Sequence, residues 1–326
     1  MTKYTFLLPA YKPNFLAESL ESIKEQTYTD FKVIVSDDCS PHDLKSIFEK
    51  TCGDDPRFVF RRNEKNMGGK SLVSHWNLLV DMCDTEWLIM AGDDDVYEPS
   101  FLKDADKLLS KYPSTNLLRG RTRIINGRGQ VITEEKPTAE YLSNIDYIHR
   151  IYEDDYANGI ASYIYRTRIL RGRGGFPDWP LAWFSDEAGN IMLAMDGCCF
   201  TRDVTFNFRN SGINISSKWG DPEDSRKKTI ATYAFYHWMK AYMNKISEDE
   251  VETEYLQDVA FLYQNKVRIN IMNNIFHIRF SSFIKLLLKL PRDLELCKIR
   301  ILAHYLRGKY LHLQERCSAK RMNSRN

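Results

Sequence analysis

Apolar and polar positions follow a regular alternation through roughly the first 110 residues. Short apolar runs predict four buried strands, which begin at Tyr4, Phe31, Phe58 and Trp87. The segments between them carry apolar residues at helical spacing, and the first helix is predicted to start at Asn14, a residue type that caps helices. Strands that alternate with helices become parallel neighbours in one sheet, so this region is predicted to be α/β.

The pattern becomes less regular beyond residue 115. It predicts a hairpin over Asn126-Gly127, a helix at Glu140–Tyr152, and strands at Gly159–Tyr165 and Cys198–Thr201. From Ser225 onward, apolar residues recur at helical spacing. These changes predict an α/β domain over 1–220, with halves 1–112 and 113–220, and a basic helical region over 221–326.

Charge is distributed unevenly along the chain. The formal net charge of the 326 residues is +2, but the last 61 residues, from Lys266, carry +11 and the preceding 265 carry −9. The apolar stretch Phe280–Leu290, with the lysines and arginines around it, fits a helix that lies on an anionic membrane. Helices packed on the main domain are an equally good explanation. No signal-peptide pattern and no run of ~18 apolar residues is present, so a cytoplasmic protein is predicted, with peripheral contact at the inner membrane face left open.

Three carboxylates stand directly after the fourth apolar run. Gly92 ends the run, and Asp93, Asp94 and Asp95 follow it. Adjacent carboxylates repel one another and stay ionised when they are exposed or when a cation neutralises them, most naturally a hard divalent ion. A solvated turn is the alternative. The carboxyl end of a central strand favours the first interpretation, because open α/β sheets bind ligands there.

Two further segments at strand ends have binding chemistry. Asp37 and Asp38 follow the second strand and can accept hydrogen bonds from a ribose or base, although Asp38 or Ser40 can instead cap the next helix. The polar segment before the third helix contains Asn66, Gly68 and Lys70. Glycines before a helix let the backbone approach an anionic ligand, and the lysine can reach a phosphate.

The order of these motifs resembles the nucleotide-sugar half of family 2 glycosyltransferases, which have the GT-A fold. The motifs are Pro-Ala-Tyr, Ser-Asp-Asp-x-Ser, Asn-x-x-Asn-x-Gly-Gly and Gly-Asp-Asp-Asp-x-x-x-Pro. The resemblance implies a Rossmann-like sheet that is mixed but mainly parallel and is flanked by helices. It also implies a nucleoside site lined by Pro9, Ala10, Tyr11, Asp37 and Asp38. It places Asp94 on the metal-binding aspartate and Asp93 toward the ribose or metal. Gly92 stands where the first aspartate is usual, so which of the three aspartates bonds the metal stays open.

An acidic pair in the second half suits proton transfer. Ser185 is predicted to cap a helix whose first turn holds Asp186 and Glu187. Their alternative role is a favourable charge at the helix start. The functional role is general base, because an attacking sugar hydroxyl must lose its proton. The resemblance implies such a pair at this place, with Asp186 preferred over Glu187, and an arginine segment in which Arg209 binds the departing diphosphate. Arg209 is otherwise an ordinary ion-pair partner.

Taken together, these features and the resemblance predict a glycosyltransferase that depends on Mn²⁺ or Mg²⁺, and the resemblance implies that it inverts the anomeric configuration. Its expected partners are a nucleoside-diphosphate sugar and a glycan or lipid-linked glycan acceptor, as in surface polysaccharide synthesis, with no nucleic acid. Two alternatives stay open. A nucleotidyl or phosphoryl transferase would also place acids and a metal at strand ends, and a non-catalytic module would bind a sugar nucleotide without turning it over.

Overall fold

The computed structural model describes residues 2–153, 159–212, 221–246, 253–276, 278–289, 302–303 and 305–309. The chain divides into two compact units, Met1–Ser217 and Lys218–Asn326. The first unit contains a mixed sheet with helices, and the second is helical. The domain limits suggested by the sequence stay predictions.

The strands of the first unit form one sheet. In chain order they are β1 Tyr4–Ala10, β2 Phe31–Asp37, β3 Phe58–Arg62, β4 Trp87–Met90, β5 Val96–Tyr97, β6 Leu117–Asn126, β7 Val131–Glu134, β8 Tyr141–Leu142, β9 Tyr163–Arg166 and β10 Cys198–Asn210. The order across the sheet is β3-β2-β1-β4-β9-β6-β10-β5, while β7 pairs with β6 and β8 with β10. Strands β3, β2, β1 and β4 are parallel to one another, and β9 runs antiparallel to both β4 and β6.

Seven helices accompany these strands in the described part of the first unit. They are α1 Leu16–Lys24, α2 Leu44–Cys52, α3 Leu72–Met82, α4 Phe101–Lys111, α5 Asn144–Glu153, α6 Thr167–Gly172 and α7 Ser185–Leu193. Each of the longer ones turns an apolar face inward, as α4 does with Phe101, Ala105 and Leu108. A cluster of aromatic rings joins α4 to the sheet, since Tyr97 lies 5.2 Å from Phe6 and 4.9 Å from Phe101 between ring centroids.

Strand register brings the predicted ligand-binding ends together. Ala10 at the end of β1 pairs with Asp37 at the end of β2, and Leu7 of β1 pairs with Met90 at the end of β4. All three strands are parallel, so their carboxyl ends lie at the same edge of the sheet. That edge therefore holds the Pro-Ala-Tyr segment, the Asp37-Asp38 pair and the three aspartates.

The second unit begins with a pair of long helices. They are α8 Pro222–Ile246 and α9 Thr253–Ile275, and they are followed by the shorter α10 Phe280–Lys289. The α8–α9 contact includes Tyr236 and Tyr263, with ring centroids 6.5 Å apart. No helix in the described segments is long and apolar enough to cross a membrane. Of the basic residues that suggest membrane contact, Arg292, Lys298 and Arg300 lie outside the described residues.

Candidate functional site

The three aspartates after β4 are buried and point to different partners. Asp93 accepts hydrogen bonds through Oδ2 from the backbone amides of Tyr11, at 3.0 Å, and Lys12, at 2.8 Å. Asp95 accepts one through Oδ1 from the backbone amide of Arg209, at 3.0 Å. The segment is thus tied to the end of β1 on one side and to β10 on the other.

Lys12 supplies a cation that the sequence reasoning did not anticipate. Its Nζ lies 2.7 Å from Asp94 Oδ2 and 3.4 Å from Asp93 Oδ1. Burial acts to lower the pKa of Lys12, but the charges of Asp93 and Asp94 outweigh it and raise the pKa above its ordinary value. The side chain is therefore an ammonium at neutral pH. Lys12 directly follows the Pro-Ala-Tyr motif, which marks it as a residue near the predicted site. Its partner Asp94 is 82 residues away, so local sequence does not show the contact.

The donor set of this cluster suits a hard divalent cation. Burial is the main cause that raises the pKa of Asp93 and of Asp95, and the charge of Asp94 adds to both effects. Two carboxylates, Asp93 and Asp94, already converge on one cation, Lys12 Nζ. Magnesium-type sites use one or two carboxylates together with substrate phosphates. Among the described residues, no cluster of three or more histidine, cysteine or acidic side chains is arranged to hold a metal by itself.

Gly92 has a steric reason to be glycine. A Cβ at this position would lie 2.6 Å from Asp95 Oδ2 and 3.3 Å from Asp94 Oδ1. Its carbonyl accepts a hydrogen bond from Ser19 Oγ, at 2.9 Å, which anchors the segment to α1. A side chain at position 92 would therefore force the Asp95 carboxylate to shift.

The residues predicted to line a nucleoside site do lie next to one another. The backbone amide of Asp38 donates to the carbonyl of Ala10, at 2.9 Å, and Ser40 Oγ donates to the carbonyl of Tyr11, at 2.7 Å. Tyr11 is exposed, whereas Asp37 and Asp38 are buried. Pro9, Ala10 and Tyr11 therefore form a bridge between the Asp37-Asp38 pair and Asp93.

Asp38 holds the polar segment that precedes α3. Its carboxylate accepts hydrogen bonds from Asn63 Nδ2 and from the backbone amides of Met67 and Gly68, at 2.7–2.9 Å. Burial raises the pKa of Asp38, but these three donors and His75 outweigh it and lower the pKa below its ordinary value. The helix-capping alternative does not hold for Asp38, because Asp43 caps α2.

The predicted phosphate-contact residues follow in the same segment. Asn66 Oδ1 accepts a hydrogen bond from the backbone amide of Gly69, which closes the turn. Lys70 is exposed next to Ser71, whose side chain caps α3. The structure thus places Asn66, Gly68 and Lys70 on one loop beside Asp38 and at the start of a helix.

Asp186 and Glu187 occupy the first turn of α7, as the pattern indicates. Burial raises the pKa of Asp186 to about 7, and the neighbouring charge of Glu187 adds to the effect. The backbone amide of Ile160 donates a hydrogen bond to Asp186 and partly offsets it. Glu187 accepts a hydrogen bond from Tyr152 Oη through Oε1, at 2.6 Å. The predicted N-cap was wrong: Phe184 is the cap residue, and Ser185 Oγ accepts instead from the amide of Trp179.

A short 3₁₀ helix, Ile160–Ser162, connects the two acidic groups. Tyr97 lies two residues beyond Asp95, and its Oη donates to the carbonyl of Ala161, at 2.8 Å. The adjacent residue, Ile160, donates to Asp186. Because β9 is antiparallel to β4, this 3₁₀ helix lies beyond the carboxyl end of β4. Asp186 and the three aspartates therefore share one edge of the sheet.

The backbone just before Asp186 is strained. Leu181, Ala182 and Phe184 have φ angles of 60°, 54° and 65°, in the left-handed region that non-glycine residues seldom adopt. Such strain persists where the surrounding structure imposes it, and it concentrates at functional sites. The segment is held by α3, since Asp178 accepts hydrogen bonds from Ser71 Oγ and Ser74 Oγ.

Arg209 lies in the same cluster but is only 1% exposed. Its Nε donates to the carbonyl of Asp94, at 2.8 Å, and its guanidinium lies 2.6 Å from Glu18 and over the ring of Phe15. In this arrangement the side chain of Arg209 holds the backbone of the acidic segment in place. The predicted contact with a diphosphate stays a prediction.

The sequence of this chain is similar to those of known proteins. Residues 5–171 match the family model for glycosyl transferase family 2. Poly(ribitol-phosphate) β-N-acetylglucosaminyltransferase TarS of Staphylococcus aureus is 23% identical over 330 residues, which cover 95% of this chain and 54% of that protein. A GalNAc(5)-diNAcBac-PP-undecaprenol β-1,3-glucosyltransferase of Campylobacter jejuni is 30% identical over 137 residues, 42% of this chain and 40% of that protein. The chain thus spans about half the length of these relatives.

Solved structures show the same fold. TarS 1–349 of S. aureus in complex with UDP-GlcNAc aligns with a TM-score of 0.59 at 20% identity, over 94% of this chain and 81% of that one. The mannosyltransferase PcManGT of Pyrobaculum calidifontis in complex with GDP-Man and Mn²⁺ aligns with a TM-score of 0.54 at 14% identity, over 96% and 87%. The predicted α/β fold, with a mainly parallel sheet and a helical C-terminal region, is confirmed.

Proposed function

The chain belongs to glycosyl transferase family 2, and from this premise we propose that it transfers a sugar from a nucleoside-diphosphate sugar to a hydroxyl group of a glycan or lipid-linked glycan. The observation that carries the proposal is the meeting of two acidic groups at one edge of the sheet. Asp93 and Asp94 form one group, and Asp186 with Glu187 forms the other. A displacement at the anomeric carbon needs both a site for the leaving diphosphate and a base for the attacking hydroxyl.

The donor binds along the carboxyl ends of β1, β2 and β4. Pro9, Ala10 and Tyr11 line the nucleoside together with Asp37 and Asp38, and Asp93 lies toward the ribose. The loop of Asn66, Gly68 and Lys70 lies beside Asp38, and the exposed, positively charged side chain of Lys70 suits an anion. Support comes from the hydrogen bonds that join the ends of these strands.

A divalent cation, Mn²⁺ or Mg²⁺, would be held by Asp94 with Asp93, and Asp95 is the third candidate ligand. When bound, it offsets charge on the leaving diphosphate. Asp95 accepts a hydrogen bond from the amide of Arg209, whereas Asp93 and Asp94 both contact Lys12. Asp95 is therefore a less favourable metal ligand than Asp93 and Asp94. Arg209 fixes the carbonyl of Asp94 and thereby the position of the carboxylates.

Asp186 acts as the general base. Its carboxylate takes the proton from the acceptor hydroxyl as that oxygen bonds to the anomeric carbon. The bond from that carbon to the diphosphate oxygen breaks in the same step, so the configuration inverts. A pKa of about 7 is well matched to proton transfer near neutral pH. Glu187 keeps this pKa high and is itself oriented by Tyr152.

The acceptor and the cellular site are inferred from the charge of the C-terminal region. The charge of +11 on the last 61 residues suits an anionic membrane surface, and a lipid-linked glycan would be presented there. We therefore place the protein in the cytoplasm, at the inner face of the membrane. The catalytic domain is expected within 1–220, with 221–326 providing the basic region.

A thermal-shift panel tests the donor site. Uridine, guanosine, thymidine and cytidine diphosphates are each added with and without Mn²⁺, and the ligand that binds the folded state raises its melting temperature. We expect one nucleotide to stand out and its shift to grow with Mn²⁺. The matching sugar nucleotide should then release nucleoside diphosphate as it forms a glycoside. Release of pyrophosphate without a glycoside would contradict the proposal and favour nucleotidyl transfer.

A further inference from the structure

The ammonium of Lys12 lies against the two carboxylates that are proposed to hold a metal ion. It lies between Asp94 and Asp93, at 2.7 Å and 3.4 Å from their carboxylate oxygens. We propose that Lys12 is a built-in counter-ion of this site, which a divalent cation must displace in order to bind. The inference rests on the proposed function, because it takes the metal position from the role given there to Asp94 and Asp93.

The geometry allows the side chain to leave without disturbing the backbone. The backbone amide of Lys12 donates to Asp93 Oδ2, at 2.8 Å, so the main chain at this residue is fixed independently of Nζ. The side chain is 32% exposed, which gives it a path toward solvent. Asp93 and Asp94 are 8% and 11% exposed, so they cannot turn to the solvent as easily. The cation is therefore the movable member of the cluster.

Electrostatics make the two cations exclusive. An ammonium and a divalent ion that contact the same carboxylate oxygens would lie within a few ångströms of each other, where repulsion is strong and solvent screening is weak. In the metal-free protein, Lys12 compensates carboxylates that burial leaves poorly solvated. Lys12 should thus stabilise the metal-free protein and weaken the apparent metal affinity.

Mn²⁺ binding measured without nucleotide tests the proposal. Isothermal titration calorimetry is applied to the full chain, to Lys12→Met, and to Lys103→Met, in which an exposed lysine of α4 is lost. We expect Lys12→Met to bind Mn²⁺ about tenfold more tightly or better, since one positive charge in contact with the ligands is removed. Lys103→Met should stay within about twofold, because solvent screens a distant charge. Equal or weaker binding by Lys12→Met would overturn the proposal.

A second measurement uses the unaltered protein, so it does not depend on the folding of a variant. Reductive methylation of lysines is followed by mass spectrometry with and without Mn²⁺. If the metal displaces Lys12, its Nζ becomes more reactive when Mn²⁺ is present, whereas Lys103 does not change. Lower or unchanged reactivity of Lys12 at saturating Mn²⁺ would contradict displacement.

The two proposals fail in different ways. Tighter Mn²⁺ binding by Lys12→Met, in a chain that forms no glycoside from any sugar nucleotide, would support the inference and reject the proposed function. Glycoside formation with no Mn²⁺ binding by the unaltered protein or by Lys12→Met would reject the inference but support the proposed transfer reaction.

Discussion

The site contains two acidic groups, one next to a positive charge and the other next to a negative charge. Asp93 and Asp94 face an ammonium and backbone amides, so positive charge is gathered around them. Asp186 has another carboxylate, Glu187, as its neighbour, and its pKa rises to about 7. Neighbouring charge and burial thus give the same residue type two environments: the first suits holding a cation, and the second suits accepting a proton.

The largest effect should follow removal of the base. Asp186→Asn keeps the size of the side chain but cannot take a proton, so we expect kcat for sugar transfer to fall roughly 10²–10⁴-fold. Asp203→Asn, at an exposed position of β10, is the matched control and should keep its activity. The rates are measured with the donor identified by thermal shift. Near-normal turnover by Asp186→Asn would mean that Asp186 is not the general base.

Loss of a carboxylate from the Asp93-Asp94 group should weaken the binding of the nucleotide. Asp94→Asn is expected to weaken nucleoside diphosphate binding in the presence of Mn²⁺ by about 10–100-fold, an effect of the size seen when groups that orient metal ligands are lost. Asp186→Asn should bind the same nucleotide normally. Titration calorimetry on both variants separates the two groups, and equal losses in both would show that they are not distinct.

The rate of transfer should depend on pH through the second group. Since Asp186 must be ionised to act and burial raises its pKa to about 7, kcat is expected to rise with pH through about 7. Glu187→Gln removes a negative neighbour, which should lower that pKa and move the midpoint to lower pH. A pH–rate profile of each protein provides the comparison. A midpoint that does not move would mean that Glu187 does not act on Asp186.

The smallest effect concerns stability. The folded pKa of Asp186, about 7, lies above its ordinary value of 3.8, so the folded state binds the extra proton between these values. Its contribution to the free energy of unfolding is therefore full below pH 3.8 and is lost as pH rises through 7. Asp186→Asn should then be more stable than the unaltered protein by about 1 kcal/mol or more at pH 8. Urea unfolding at pH 8 and at pH 4 should show the gain only at the higher pH.

Sequence patterns predicted the first half of the fold well, because each buried strand there is a continuous apolar run that ends at a polar segment. The run Trp87–Met90 before Gly92 is the clearest case, and the observed β4 matches it. The second half was harder. Only Cys198–Thr201 was predicted of the longer β10, because Arg202 and Asp203 interrupt its apolar pattern where the pairing with β6 shifts register.

The location of the candidate site residues at the ends of strands and helices was predictable where a local motif carries them, but contacts between distant residues were not. The segments of Asp93 and Asp186 stand out by their position at an element boundary. Lys12 acquires its meaning only when β1 and β4 align, which local sequence does not express. The predicted cap of α1 was also wrong: Asn14 was expected, but Phe15 takes that position without a side-chain hydrogen bond.

The central claim is that the two acidic groups act on opposite sides of one anomeric carbon. A crystal structure of Asp186→Asn with the sugar nucleotide and Mn²⁺ tests it most directly. The account predicts the metal at Asp94, in contact with the diphosphate, and residue 186 within hydrogen-bonding reach of the position of the acceptor hydroxyl. A diphosphate bound away from Asp93 and Asp94, or residue 186 on the same side of the sugar as the phosphates, would contradict it.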